Sequence, residues 1–104
     1  METIKAILCM VDEKVNLLFE VDSEKIYLDL ESDDSNQIKQ LFLALAKKIR
    51  NNPLQIQLEV DNSFEMNSNK LFYDTSVEYV DQLNKELKEL ETDSDLINIR
   101  TFEN

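Results

Sequence analysis

Apolar and polar residues alternate with a period of two in three separate stretches of this chain. Val15, Leu17, Phe19 and Val21 form the first, Ile26, Leu28 and Leu30 the second, and Leu54, Ile56, Leu58 and Val60 the third. Each pattern predicts a strand with one face buried. Ile4 to Val11 differs: Ile4, Ala6, Leu8 and Met10 are apolar, and so are Ile7, Cys9 and Val11. Both pleat faces are therefore apolar, as in a central strand covered on both sides. The connectors Asp12-Glu13 and Asp22-Ser23-Glu24 are short, so the first three strands are expected to form an antiparallel meander.

The period then changes. Ile38, Leu41, Phe42, Leu45 and Ile49 recur at helical spacing and predict a helix over about 35–50. Asp33, Asp34 or Ser35 can cap its start, Lys47, Lys48 and Arg50 suit its last turns, and Asn51-Asn52-Pro53 stops it. Residues 61–70 are polar and turn-rich, with Phe64 and Met66 as anchors into the body. Leu71-Phe72-Tyr73 is either a short strand or the start of a second helix. Thr75-Ser76-Val77-Glu78 is a capping-box pattern, and Val77, Val80, Leu83, Leu87 and Leu90 line one face over about 76–91. Leu96 to Phe102 alternates weakly, which allows a C-terminal edge strand over 96–102. The expected fold is a single α+β domain over 1–104. In it an antiparallel sheet, built from the N-terminal meander and strand 54–60, packs with two amphipathic helices.

Composition removes most chemistry. With no histidine, neither Ser-His-Asp nor Cys-His catalysis can be assembled within the chain, and Cys/His zinc sites are absent. With no glycine there is no phosphate-binding loop or dinucleotide fingerprint, and turns must use Asn, Asp and Ser. Asp29, Glu31 and Asp33 alternate like the start of a calcium loop. The required glycine is missing, however, and Gln40 stands where the bidentate glutamate belongs. The single Cys9 sits in an apolar strand and is expected to be an inert buried thiol. No catalytic residue, metal or cofactor is expected. The apolar run near the start is too short for a leader or a membrane span, and one cysteine fits a reducing compartment, so the expected location is cytoplasmic.

Charge supplies the functional signal. Twenty-two acids face eleven bases, for a net charge of −11, while the 42% hydrophobic content keeps the chain among globular proteins. The excess is uneven: residues 1–30 carry seven acids and three bases, residues 31–52 three acids and four bases, and residues 76–104 eight acids and three bases. Acids near the end of the second helix oppose its dipole, so helix stability does not explain them. Nucleic acid and anionic membrane surfaces are disfavoured as direct partners, because both repel such a protein.

These features predict a non-enzymatic acidic binding protein that inhibits a basic partner, a toxin or nuclease, by covering its active or nucleic-acid-binding face. In composition alone the chain is similar to two groups of small acidic inhibitors, the immunity proteins of bacteria and the DNA mimics of phage, and the second stands as an alternative. The expected contact residues are Glu78, Glu86, Glu89, Asp93 and Asp95, with Glu59, Asp61 and Glu65 second. A further reading is a small accessory subunit of a multiprotein complex, docking through Leu43, Tyr27 or a free sheet edge.

Overall fold

The computed structural model describes residues 1–32, 35–50 and 52–92, excluding the side chains of the last two. Six elements follow in order: β1 (Glu2–Val11), β2 (Lys14–Val21), β3 (Glu24–Asp29), α1 (Ser35–Ile49), β4 (Leu54–Val60) and α2 (Lys70–Thr92). The expected edge strand over 96–102, and the capping candidates Asp33 and Asp34, lie outside the described residues.

The four strands form one sheet in the order β3-β2-β1-β4. β1–β2 and β2–β3 pair antiparallel, as the meander reading requires. β4 does not: it pairs parallel to β1, with Ile4 opposite Ile56 and Ala6 opposite Leu58. The sheet is therefore mixed, which corrects the all-antiparallel expectation. The reason is the connection. After β3, α1 carries the chain past two strands to the opposite edge, and a crossover of that kind returns the next strand in the same direction.

The meander turns are made without glycine. Asp12 and Glu13 have φ of 50° and 66°, and Asp22 and Ser23 have φ of 51° and 69°. Both central residues of each turn are left-handed, the arrangement whose twist matches a two-residue hairpin.

Ile4, Ala6 and Leu8 of β1 share one sheet face with Val15, Leu17, Phe19 and Val21 of β2, Ile26 and Leu28 of β3, and Leu54 and Ile56 of β4. Leu41, Leu45 and Ile49 of α1 and Val80, Leu83, Leu87 and Leu90 of α2 join the same apolar cluster. Both helices thus cover one face, α1 beneath β2 and β3 and α2 beneath β1 and β4. Across the open face, β1 presents half-buried Ile7 and Val11 and buried Cys9, with no described helix over them. The doubly apolar pattern of β1 correctly marked a central strand, but its second face is not covered by a helix among the described residues.

α2 begins at Lys70, six residues before its expected start, and absorbs Leu71-Phe72-Tyr73. The Asn69 carbonyl accepts hydrogen bonds from the Phe72 and Tyr73 amides, at 3.1 and 3.2 Å, and so opens the helix. Ser76, read as part of a capping box, is fully buried, and its hydroxyl donates to the Phe72 carbonyl at 2.7 Å within the helix. In the preceding loop Phe64 is buried as expected, while Met66 is exposed.

Candidate functional site

The strand directions decide where the acids meet. β1, β3 and β4 all run one way, so their C-terminal ends and the start of β2 share one end of the sheet. At that end lie Asp12 and Glu13 in the first turn, Asp29 at the end of β3, Glu31 just beyond it, and Asp61 just beyond β4. Hydrogen bonds anchor Asp29, Glu31 and Asp61 at this end. The Val15 amide donates to Glu31 Oε2 at 2.8 Å, and the Glu31 amide donates to Asp29 Oδ1 at 2.8 Å. The Asp61 amide donates to the Leu8 carbonyl at 2.9 Å, and the Met10 amide donates to Ser63 Oγ at 3.0 Å. Lys14, whose ammonium is 3.8 Å from Asp29, is the base in this group.

Asp61 is held below the usual carboxylate range, first by the Ser63 hydroxyl and then by the Ser63 amide, which donates to Oδ2 at 3.0 Å. Beside it, burial and then the Asp61 charge push the Cys9 thiol up, which keeps the sulfur protonated and unreactive. Among the described residues no group of three or more Asp, Glu or Cys side chains is arranged to hold a metal ion.

The opposite end has a different character. There Lys48, at the end of α1, bridges Glu2 at 3.1 Å and Asp22, pinning the helix to β1 and to the second hairpin turn. α1 itself carries Lys39, Lys47 and Lys48 and no acid. On the open face, Lys5, Lys14 and Lys25 balance Glu20, Asp29 and Glu59 around an apolar row of Tyr27, Leu18 and Ile7. Within the sheet and its turns, the acid excess of the described residues is therefore concentrated at one strand end.

The expected contact residues do not form a single patch. Glu59 lies on the open face, 3.5 Å from Lys5. Asp61 belongs to the acidic end, and Glu65 follows in the same loop, where its carbonyl accepts from the Asn69 amide group at 3.1 Å. Glu78 and Glu89 are exposed on the outer side of α2, about three turns or ~16 Å apart along its axis. The exposed Asp74, Glu78, Asp81 and Glu89 share α2 with Lys70, Lys85 and Lys88, and the helix as a whole carries six acids against three bases. Glu86 is half-buried in a shallow cleft of about 160 Å³ with Ile38, Phe42 and Tyr79, between the two helices. Burial, then the Glu86 charge, raises the Tyr79 phenol. Asp93 and Asp95 lie outside the described residues.

Sequence reading missed Asp12, Glu13, Asp29 and Glu31 as a group. Reading β4 as parallel to β1 would have placed Asp61 beside the first turn. Asn84 was missed as well. Its side chain accepts from the Ile56 amide at 2.8 Å and donates to the Ile56 carbonyl at 2.9 Å, satisfying the outward backbone of that residue on the free edge of β4. A groove of about 320 Å³ runs along that edge, lined by Leu58, Val60, Tyr73, Val77 and Asp81.

No family model, no curated protein and no solved structure matches this chain. No described helix is long and apolar enough to cross a membrane.

Proposed function

We propose that this chain is a non-enzymatic acidic binding protein that inhibits a basic partner, a toxin or nuclease, by covering its active or nucleic-acid-binding face. The observation that supports this is the gathering of Asp12, Glu13, Asp29, Glu31 and Asp61 at one end of the sheet, against Lys14. An uneven field of this kind steers and orients a cationic partner, whereas evenly spread charge would serve solubility alone. The contact set accordingly centres on the strand end, with Asp61 and Glu65 retained from the sequence reading and Glu78 the nearer of the exposed acids on α2.

Asp12→Asn with Glu13→Gln removes two charges while keeping residues able to hold the turn. Association with the basic partner recovered from the native host at low salt should slow about tenfold, and its salt dependence should flatten. Unchanged association kinetics in that variant would sink the reading. The accessory-subunit reading draws support from the apolar row Tyr27, Leu18 and Ile7 on the open face. An interface there would persist at high salt and be lost in Leu18→Lys.

A further inference from the structure

An amide side chain caps one position on each edge of the sheet. At β4, Asn84 occupies both backbone groups of Ile56, and α2 runs alongside. At β3, the Leu30 amide donates to the Val15 carbonyl at 2.9 Å. That bond sets the alternation of the antiparallel ladder: Leu28, Ile26 and Glu24 turn their backbone groups toward β2, and Asp29, Tyr27 and Lys25 turn theirs outward. Gln37 Oε1 accepts from the Asp29 amide at 3.2 Å, closing that position. Among the described residues no strand lies beyond β3, and no side chain bonds the outward backbone of Lys25 or Tyr27. Among the described residues, therefore, α2 flanks the β4 edge, whereas the β3 edge leaves the outward backbone of Lys25 and Tyr27 open over a two-residue window.

We propose that a second copy of this chain adds antiparallel to β3, across a two-fold axis through Ile26. In that register Lys25 pairs with Tyr27 of the partner subunit, and Tyr27 with Lys25 of the partner subunit. The two pairs exchange four backbone hydrogen bonds, and neither needs the Asp29 amide that Gln37 holds. The match is specific to a copy of this sequence. Each Lys25 ammonium lies against a Tyr27 ring, which is 39% exposed and on the same face, an attractive cation–π arrangement. A register centred on Tyr27 would instead require Asp29 to be released. The open-face row Ile7, Leu18 and Tyr27 then continues across the axis into its own copy, within an eight-stranded sheet. Because each copy carries a net charge of −11, added salt strengthens this contact, whereas it weakens capture of a basic partner.

Sedimentation equilibrium of the full chain, across concentration at low and high salt, tests the assignment. The expected result is a monomer–dimer equilibrium that tightens as salt is added. Tyr27→Pro removes an outward amide that the β2 ladder does not use, so it should yield a monomer with unchanged circular dichroism. Lys25→Glu, which replaces attraction with repulsion, should weaken the dimer at least about tenfold and keeps the test valid if the proline variant fails to fold. A chain monomeric at every concentration and salt level would overturn the proposal. So would a dimer indifferent to both substitutions, or growth into open-ended assemblies.

Discussion

At the scale of single residues, the lack of glycine places the backbone under local strain. Glu13, with φ of 66°, holds a left-handed conformation that its Cβ disfavours by about 1–2 kcal/mol, and unlike Asp12 it has no short side chain to hydrogen-bond its own backbone. Glu13→Gly should therefore raise stability by about 1 kcal/mol, moving the thermal midpoint up by roughly 4–8 °C. Glu24→Gly supplies the contrast, since Glu24 lies within β3 and glycine there should destabilise by about 0.5–1 kcal/mol. Differential scanning calorimetry of the two variants decides the matter: a fall in both would show that the turn stores no strain. That turns fall at Asp12-Glu13 and Asp22-Ser23 was legible in the sequence, because two alternating runs separated by two polar residues leave little else. Which residues bear positive φ was not, since neither glutamate nor serine announces it.

At the scale of elements, strand positions were read from period-two alternation and strand direction was not. The pattern Leu54, Ile56, Leu58, Val60 is the same whether β4 runs parallel or antiparallel to its neighbour; only the crossover through α1 settles it. α2 shows a different failure. Thr75-Ser76-Val77-Glu78 has the chemistry of a helix start, yet the helix already runs from Lys70, and Ser76 spends its hydroxyl on the Phe72 carbonyl. Local signals named a cap where tertiary packing placed a helix interior. Asn84 is the least legible of all, because its partner is the backbone of Ile56, 28 residues earlier. Asn84→Ala would leave the Ile56 amide and carbonyl at a half-covered edge without these bonds, at a loss of about 1–3 kcal/mol. Lys85→Ala, on the exposed side of the same helix, should stay within about 0.5 kcal/mol. Urea unfolding of both variants measures the difference, and equal losses would show that the Asn84 bonds to Ile56 do not stabilise the fold.

At the scale of the whole molecule, the sequence fixes how much charge there is, while the fold decides where it gathers and how stability responds to pH. Asp12, Glu31 and Asp61 are far apart in the chain and share one end of the sheet because three strands end together, so the acidic end was not legible from segment counts. Four groups then set the pH limits. Asp61 is lowered from 3.8 in the fold, so its contribution is present above that value and is lost as pH falls through its lower folded value. Cys9 and Tyr79 are raised from 9.0 and 10.0, chiefly by burial, so the unfolded chain loses these protons first and stability falls as pH rises past each value. Lys48 is raised from 10.5, first by its hydrogen bond to Asp22 and next by Glu2; its contribution is complete below that value and disappears as pH rises through the folded one. The three basic-side effects share a sign. Thermal midpoints measured between about pH 6 and pH 11 should therefore hold steady to about pH 9 and then decline progressively. In Cys9→Ala the decline should begin nearer pH 10, superimposed on a pH-independent loss from the smaller side chain. In Lys48→Met the steepest part, above about pH 10.5, should flatten, because no ammonium remains to be discharged between Glu2 and Asp22. If Cys9→Ala and the parent chain began to decline at the same pH, the buried thiol would have no part in the alkaline limit.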